Sequence, residues 1–358
     1  MSALNLAPFL ENNPIEASAP CRLDMGGTLD IRTFYYPLSW LNPCTVNIAL
    51  KMRTRVRLLP FKSGHVQVSS RGFEPASMPL DSLPFNHPLG LMFAVAYYFR
   101  VGGVHIEIES TSPPRSALGG SSVAAVALIM AISKTLEKME NIAAPNRSQT
   151  ALLAHAIEEC AAGVPCGIQD QLAAVYGGIH RWVWPKNIQD PHFTKEALMS
   201  NEEADAFGRH LLVAYCGVPH ESKDINGTWI RQFLSGGTRP QWVEIVACTR
   251  RFANALEKQD IPGAIEAMNR EMAIRKEMTP DVLDELGDRL AASARAAGCA
   301  ARITGAGGGG CIWALGQSED IDRLRPVWQD ILASRREARL LESGIDTVGV
   351  ASESAFKR

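Results

Sequence analysis

The sequence predicts a protein of mixed helices and strands in two domains, and three observations carry that expectation. At 358 residues the chain is longer than one typical hydrophobic core supports, which points to about two domains. Strand-like and helix-like segments are interspersed along it rather than segregated by type. The stretch 187–205 is polar and irregular, which divides the chain into 1–200 and 201–358.

In the first half, residues 45–59 are rich in β-branched side chains and alternate near their end, as a pairing strand does. Residues 88–100 open on a proline and continue with apolar residues at helical spacing. Residues 104–109 read as a strand, and 121 to about 139 as a long apolar helix. A second helix, 147–162, is bounded by Asn146 before it and Gly163-Val164-Pro165 after it. In the second half, 210–215 reads as a strand, and 229–234, 242–258, 262–276 and 280–297 as helices. Strands over 301–303 and 311–315, a helix over 321–341 and a last strand over 347–350 complete the chain. It contains no internal repeat and no low-complexity tract.

An apolar fraction of 46% with 21% charged residues is that of an ordinary soluble globular protein. Lys and Arg number 36 against 38 for Asp and Glu, a net charge of −2, so no global positive field recruits nucleic acid or an anionic membrane. The first twenty residues lack a cationic start followed by an apolar core and do not read as a signal peptide. The longest apolar run, around 123–132, is too short to span a bilayer. Eight cysteines, at 21, 44, 160, 166, 216, 248, 299 and 311, include no Cys-x-x-Cys pair. That pattern fits reduced thiols rather than a disulfide framework or a zinc site, and points to the cytoplasm.

Three glycine-bearing segments carry the chemistry: APCRLDMGGTLD at 19–30, PPRSALGGSS at 113–122 and TGAGGGGC at 304–311. The middle one follows the strand and opens the long helix. A helix start leaves backbone N–H groups unpaired at the positive end of the macrodipole, so it attracts phosphate. Glycines let the backbone approach the anion, and Ser121 and Ser122 add hydroxyls for oxygen or Mg²⁺. Alone, the same loop could simply cap the helix, and without Gly-Lys-Ser/Thr it is no Walker A sequence. The third segment satisfies G-x-G-x-x-G but runs into a strand-like stretch, which argues against a dinucleotide site. Its glycine density points instead to close approach to a ligand or a neighbouring backbone. In Gly167-Ile168-Gln169-Asp170-Gln171, an acid between two amides in an apolar stretch needs a partner or a task, though Asp170 could also cap a helix. Arg22, Asp24 and Asp30 surround Gly26-Gly27, either as an ion pair holding a turn or as a sugar-binding carboxylate beside a phosphoryl-stabilising cation.

Together and in this order, the segments resemble the GHMP kinase superfamily (galacto-, homoserine, mevalonate and phosphomevalonate kinases) over most of the chain. PPRSALGGSSVA is similar to the family's P-x-x-x-G-L-G-S-S-A-A loop, TGAGGGGC to its third motif and APCRLDMGGTLD to its first. Gly26-Gly27-Thr28-Leu29-Asp30, and Gly167 to Gln171 with Tyr176-Gly177-Gly178, resemble the sugar-kinase branch of heptose-phosphate kinases, fucokinases and galactokinases. The resemblance implies an α+β fold in two domains, with an N-terminal domain like ribosomal protein S5 domain 2, a ferredoxin-like C-terminal domain and a site in the cleft between them. It implies ATP and Mg²⁺ as cofactors and phosphorylation of a sugar or sugar phosphate, at an anomeric C1 hydroxyl, with a non-sugar alcohol or a silent ligand-binding homologue as alternatives. Asp170 then matches the catalytic aspartate and Arg22 the cation near the moving phosphoryl. Pro114, Arg115, Ser116, Ala117, Leu118, Gly119, Gly120, Ser121 and Ser122 match the nucleotide loop. Asp30, Gly26, Gly27, Thr28, Gln169, Gly305 and Gly307 fall on the substrate side. Ser121 matches the Mg²⁺-binding serine, with Ser122 the alternative because Gly120 stands where a serine is expected. Glu159, 170 − 159 = 11 residues before Asp170, matches the Mg²⁺ glutamate in preference to Glu158. Ala117 replaces the usual glycine, and G-E-H-T-D of galactokinases is absent. Val218 to Ser222 falls where sugar kinases place a ligand-facing loop, and an ordinary loop histidine accounts for His220 in it equally well. The expected partner is a small-molecule substrate, not nucleic acid or a membrane, and the sequence leaves the oligomeric state open.

Overall fold

The computed structural model describes residues 3–187, 189–219, 225–342 and 344–354. Two large sheets organise them, beside a two-stranded parallel pair of Leu4–Asn5 with Val101–Gly102. The larger is eight-stranded, in the order Ala351–Ser354, Ile15–Met25, Cys44–Pro60, Val104–Ser110, His65–Ser70, Ala76–Pro79, with Ile179–Val183 also on Cys44–Pro60 and Thr194–Ala197 beyond it. Cys44–Pro60 is long enough to serve two neighbours: residues 44–48 pair with Ile179–Val183 and residues 54–60 with Val104–Ser110. The smaller sheet is antiparallel, in the order Ala300–Ile303, Cys311–Leu315, Leu211–Tyr215, Arg339–Leu341.

Strand alternation fixes where the cores lie. Leu212 and Ala214 point to one face of the small sheet, packing with Leu290 and Trp328 of helices Glu285–Ala296 and Ser318–Leu332. Leu211, Val213 and Tyr215 point to the other, into a core with Trp242 and Phe252 of Arg239–Glu257 and Met268 of Ile261–Met278. Leu23, Met25, Val46 and Ile48 of the large sheet belong to that same core, so the two halves share buried apolar surface. Helices Gly90–Tyr98, Gly120–Glu140 and Arg147–Ala162 cover a second core against the large sheet. Gly120–Glu140 meets the length and hydropathy of a membrane span, yet 72% of that window is buried inside the protein.

Three expectations are corrected. The helix expected over 321–341 ends at Leu332, and Arg339–Leu341 is an edge strand. The last strand is Ala351–Ser354 rather than 347–350. It returns to the first sheet beside Ile15–Met25, so the end of the chain does not stay with the second half. Ile15–Met25 was missed because Pro20 and buried polar residues hide its period. A register shift between Pro20 and Arg22 accommodates the proline, as bulges near functional sites commonly do.

Candidate active site

The three glycine segments and the Asp170 segment converge on one cleft of about 1010 Å³ between the two halves. Strand period two puts Arg22 and Asp24 on the same face of Ile15–Met25. Asp170 lies in the first turn of Gln169–Tyr176. Arg22 Nε donates to Asp170 Oδ1 at 2.7 Å, and its Nη1 donates to the Ala117 carbonyl at 2.8 Å and to Asp24 Oδ1 at 3.3 Å. One guanidinium thereby joins segments that are far apart in sequence. Burial opposes its charge, but the Asp170 and Asp24 carboxylates outweigh burial and raise its pKa above the usual arginine range.

The nucleotide-loop candidates lie opposite. Gly119, in the left-handed region at φ 82°, caps Gly120–Glu140, whose first turn receives no side-chain cap. Its amides are therefore open to an anion. A Cβ on Gly119 would lie 3.2 Å from Asp170 Cγ, so the carboxylate rests against the loop. Pro114, Arg115, Ser116, Ala117, Gly119, Gly120 and Ser121 line the cleft, whereas Leu118 is buried in the core. Arg115 and Ala117 have φ of 52° and 60°, a conformation that costs a non-glycine residue of order 1 kcal/mol.

The third glycine loop answers what its glycines approach. A Cβ on Gly310 would meet the Ser116 carbonyl oxygen at 2.7 Å and Ala117 Cβ at 2.9 Å, so it packs on the nucleotide-loop backbone. Gly305 N donates to Asp24 Oδ1 at 2.7 Å and lines the cleft. Gly307 does not: a Cβ there would strike Val282 and Ile303. Expected on the substrate side, it packs against Val282 and Ile303 instead of lining the cleft.

Beside the Gly26–Thr28 turn, Asp30 Oδ2 accepts from Gln169 N at 3.0 Å, while Oδ1 is buried without a partner. Burial raises the Asp30 carboxyl to about 6, the Gln169 N–H opposing and the nearby Asp170 charge adding to it. Gln169 Oε1 accepts from Asn47 Nδ2 at 3.0 Å. Thr28, at φ 79°, donates from Oγ1 to Asn226 Oδ1 at 3.2 Å. Gly26 and Gly27 form the turn beneath, where a Cβ on Gly27 would lie 2.4 Å from Asp24 Oδ2. His220, Glu221 and Ser222 lie outside the described residues.

The metal-site expectation needs correction. Glu159 turns toward Arg32, at 3.6 Å on the surface. Glu158 turns inward: Ser122 Oγ donates to its Oε1 at 3.0 Å and Gln171 Nε2 donates to its Oε2. Ser121 is exposed and Ser122 buried, so the pair that meets is Ser122 with Glu158. Burial raises Glu158 to about 7, with Ser122 opposing and Asp170 adding to the shift. It is a partly buried carboxylate with two neutral donors and, among the described residues, no ion pair to a cation. That environment fits a divalent cation, and Mg²⁺ commonly binds through one carboxylate plus phosphate and water oxygens. The described residues hold no group of three or more metal-ligating side chains.

Arg71, Phe73, His87, Leu91 and Met92 also line the cleft, and nothing in their spacing marked them beforehand. Asn226 was also missed, because an exposed helical asparagine carries no sequence signal.

The family profile "GHMP kinases N terminal domain" matches residues 86–178, and "GHMP kinases C terminal" matches residues 252–332. Over 292 residues the chain is 24% identical to a mevalonate kinase of Pyrococcus abyssi, covering 75% of this chain and 80% of that one. A D-glycero-D-manno-heptose 1-phosphate kinase from Bacteroides thetaiotaomicron superposes with TM-score 0.69 at 16% identity, covering 96% of this chain and all of that one. Lactococcus lactis galactokinase complexed with galactose gives 0.72 at 15% identity, covering 98% and 100%. Likeness at these identities establishes the two-domain fold.

Proposed function

We propose that this chain, which belongs to the GHMP kinase family, transfers a phosphoryl group from ATP to a sugar or sugar phosphate, at the anomeric C1 hydroxyl. The observation that carries the reading is the position of Asp170, against Gly119 of the uncapped helix start on one side and paired with Arg22 on the other. The amides at 119–122 would hold phosphate oxygens, and Arg115 at the cleft wall adds a cation. Asp170 would accept or orient the proton of the attacking hydroxyl. Arg22 fixes the Asp170 carboxylate and offsets charge on the moving group. Phosphoryl transfer depends chiefly on such positioning and neutralisation. Ser122 and Glu158 would hold Mg²⁺, which supplies further charge neutralisation at the phosphates when bound.

The acceptor end favours a polyol. The partnerless Asp30 Oδ1 calls for a hydroxyl donor, and an acceptor carboxylate would face both Asp30 and Asp170. A second reading, a mevalonate-type acceptor, draws on the similarity to the Pyrococcus abyssi enzyme. A panel of heptose 7-phosphate, fucose, galactose, mevalonate and homoserine with ATP and Mg²⁺, scored by ADP release, separates them. Turnover confined to sugars supports the proposal. Turnover confined to mevalonate or homoserine, or none at all, refutes it.

A further inference from the structure

The turn Gly26-Gly27-Thr28 belongs to the first half of the chain but is gripped from the second. Arg275 Nη2, on Ile261–Met278, donates to the Gly27 carbonyl at 2.7 Å. Thr28 Oγ1 reaches Asn226 on Ile225–Leu234, and a Cβ on Gly26 would lie 2.4 Å from Thr249 Oγ1 on Arg239–Glu257.

Arg275 also ends a chain of ion pairs. Its Nε donates to Glu271 Oε1, and Glu271 accepts from Arg302 Nε at 2.9 Å and Nη2 at 3.0 Å. Arg302 Nη1 donates to Asp24 Oδ2 at 2.9 Å, and Asp24 accepts from Arg22, which holds Asp170. Three cations and three anions thus alternate from the Gly27 carbonyl to Asp170, and of the six only Asp170 is not fully or nearly fully buried. The Arg275 guanidinium lies 4.9 Å from the Trp229 ring and 5.4 Å from the Trp242 ring, which fixes its plane.

Buried ion pairs are a poor source of stability, because apolar replacements of similar volume often do as well or better. What an alternating chain provides is geometry: each carboxylate is fixed by a guanidinium with directed N–H groups. We propose that Arg275 is a positioning residue for the acceptor, setting the Gly26–Thr28 turn directly and the Asp170–Arg22 pair through Glu271, Arg302 and Asp24. The inference rests on the reading that this turn meets the acceptor.

The test compares wild type with Arg275→Lys, Arg275→Met and the charge-balanced double variant Arg275→Met/Glu271→Gln. The acceptor is whichever of heptose 7-phosphate, fucose or galactose the wild type uses fastest. Melting temperature, ATP KM, acceptor KM and kcat are measured for each. The expected result is an acceptor kcat/KM lowered about ten- to hundredfold in Arg275→Met, the scale of a misplaced reacting group, with a much smaller change in ATP KM. The double variant recovers melting temperature but not acceptor kcat/KM, and Arg275→Lys falls between. If Arg275→Met does not fold, the double variant and Arg275→Lys decide. Overturning results are wild-type acceptor kinetics in any folded variant lacking Arg275, or acceptor kcat/KM that returns in step with melting temperature. Should every variant fail to fold, Arg275 is structural and the inference is overturned. A wild type that phosphorylates none of these acceptors overturns the functional reading and this inference together; an active wild type with indifferent variants overturns this inference alone.

Discussion

Glu158 and Glu159 are adjacent in the chain, yet about 100° of helical rotation sends them to different environments. One turns toward Ser122 and Gln171, beneath the helix; the other meets Arg32 on its outer side. Counting residues back from Asp170 could not resolve that rotation, because the phase of helix Arg147–Ala162 is set by packing. Replacing Glu158 with Gln should raise the Mg²⁺ concentration for half-maximal ADP release at least about tenfold. Glu159→Gln should change it little, since exposed ion pairs contribute little. The sign of the pH effect follows from burial. Glu158 is raised from its ordinary range to about 7, so below that pH a proton competes with the cation. The wild-type Mg²⁺ requirement should therefore grow as pH falls from about 8 to about 6, and Glu158→Gln should lose that dependence. An equal effect of both substitutions would contradict the assignment. Asp170, Arg22 and Asp30 were legible because each is an ion beside glycines or amides in a recurring motif. Asn226, Glu271 and Arg275 were not: the bond from Arg275 to Gly27 spans 248 positions, and helical periodicity reports only which face is buried.

Among the elements, the long helices were the easiest to read, because their apolar spacing and caps are local. Asn146 does form a capping box with Gln149, and Gly163 closes the same helix at φ 65°. Strand Ile15–Met25 was hidden because Arg22, Asp24 and Glu16 are buried on it, erasing the polar-apolar alternation on which strand recognition depends. The overlong helix at 321–341 reflects a stretch without a glycine or proline to stop it near Leu332. The third glycine loop shows how a dinucleotide-like pattern can serve another purpose. Gly310, at φ 82°, leaves no room for a Cβ beside Ser116 and Ala117. Gly310→Ala should destabilise the protein by more than about 1–2 kcal/mol, combining strain with the clash. It should also raise ATP KM, because the nucleotide loop must move. Gly64, at φ 71° with nothing within 4 Å of a Cβ, is the control: Gly64→Ala incurs the backbone cost and leaves ATP KM unchanged. Similar ATP KM values in the two variants would show that the loops are not mechanically joined.

At the scale of the whole molecule, the site exists because sheet strands, helix starts and loops from both halves meet in one cleft. The shared core between Leu23, Val46, Trp242 and Val213 holds those halves in register, and the buried ions cross the same boundary. That mutual placement was legible only through the family resemblance, since no local pattern states which halves touch. Phosphorus-31 NMR of the intact protein with ATP, Mg²⁺ and the sugar panel tests the central claim most directly. Wild type should produce a new phosphomonoester resonance in step with ADP, and Asp170→Asn, still folded and still binding ATP, should slow it by orders of magnitude. An Asp170→Asn protein that forms the sugar phosphate at the wild-type rate would contradict the account.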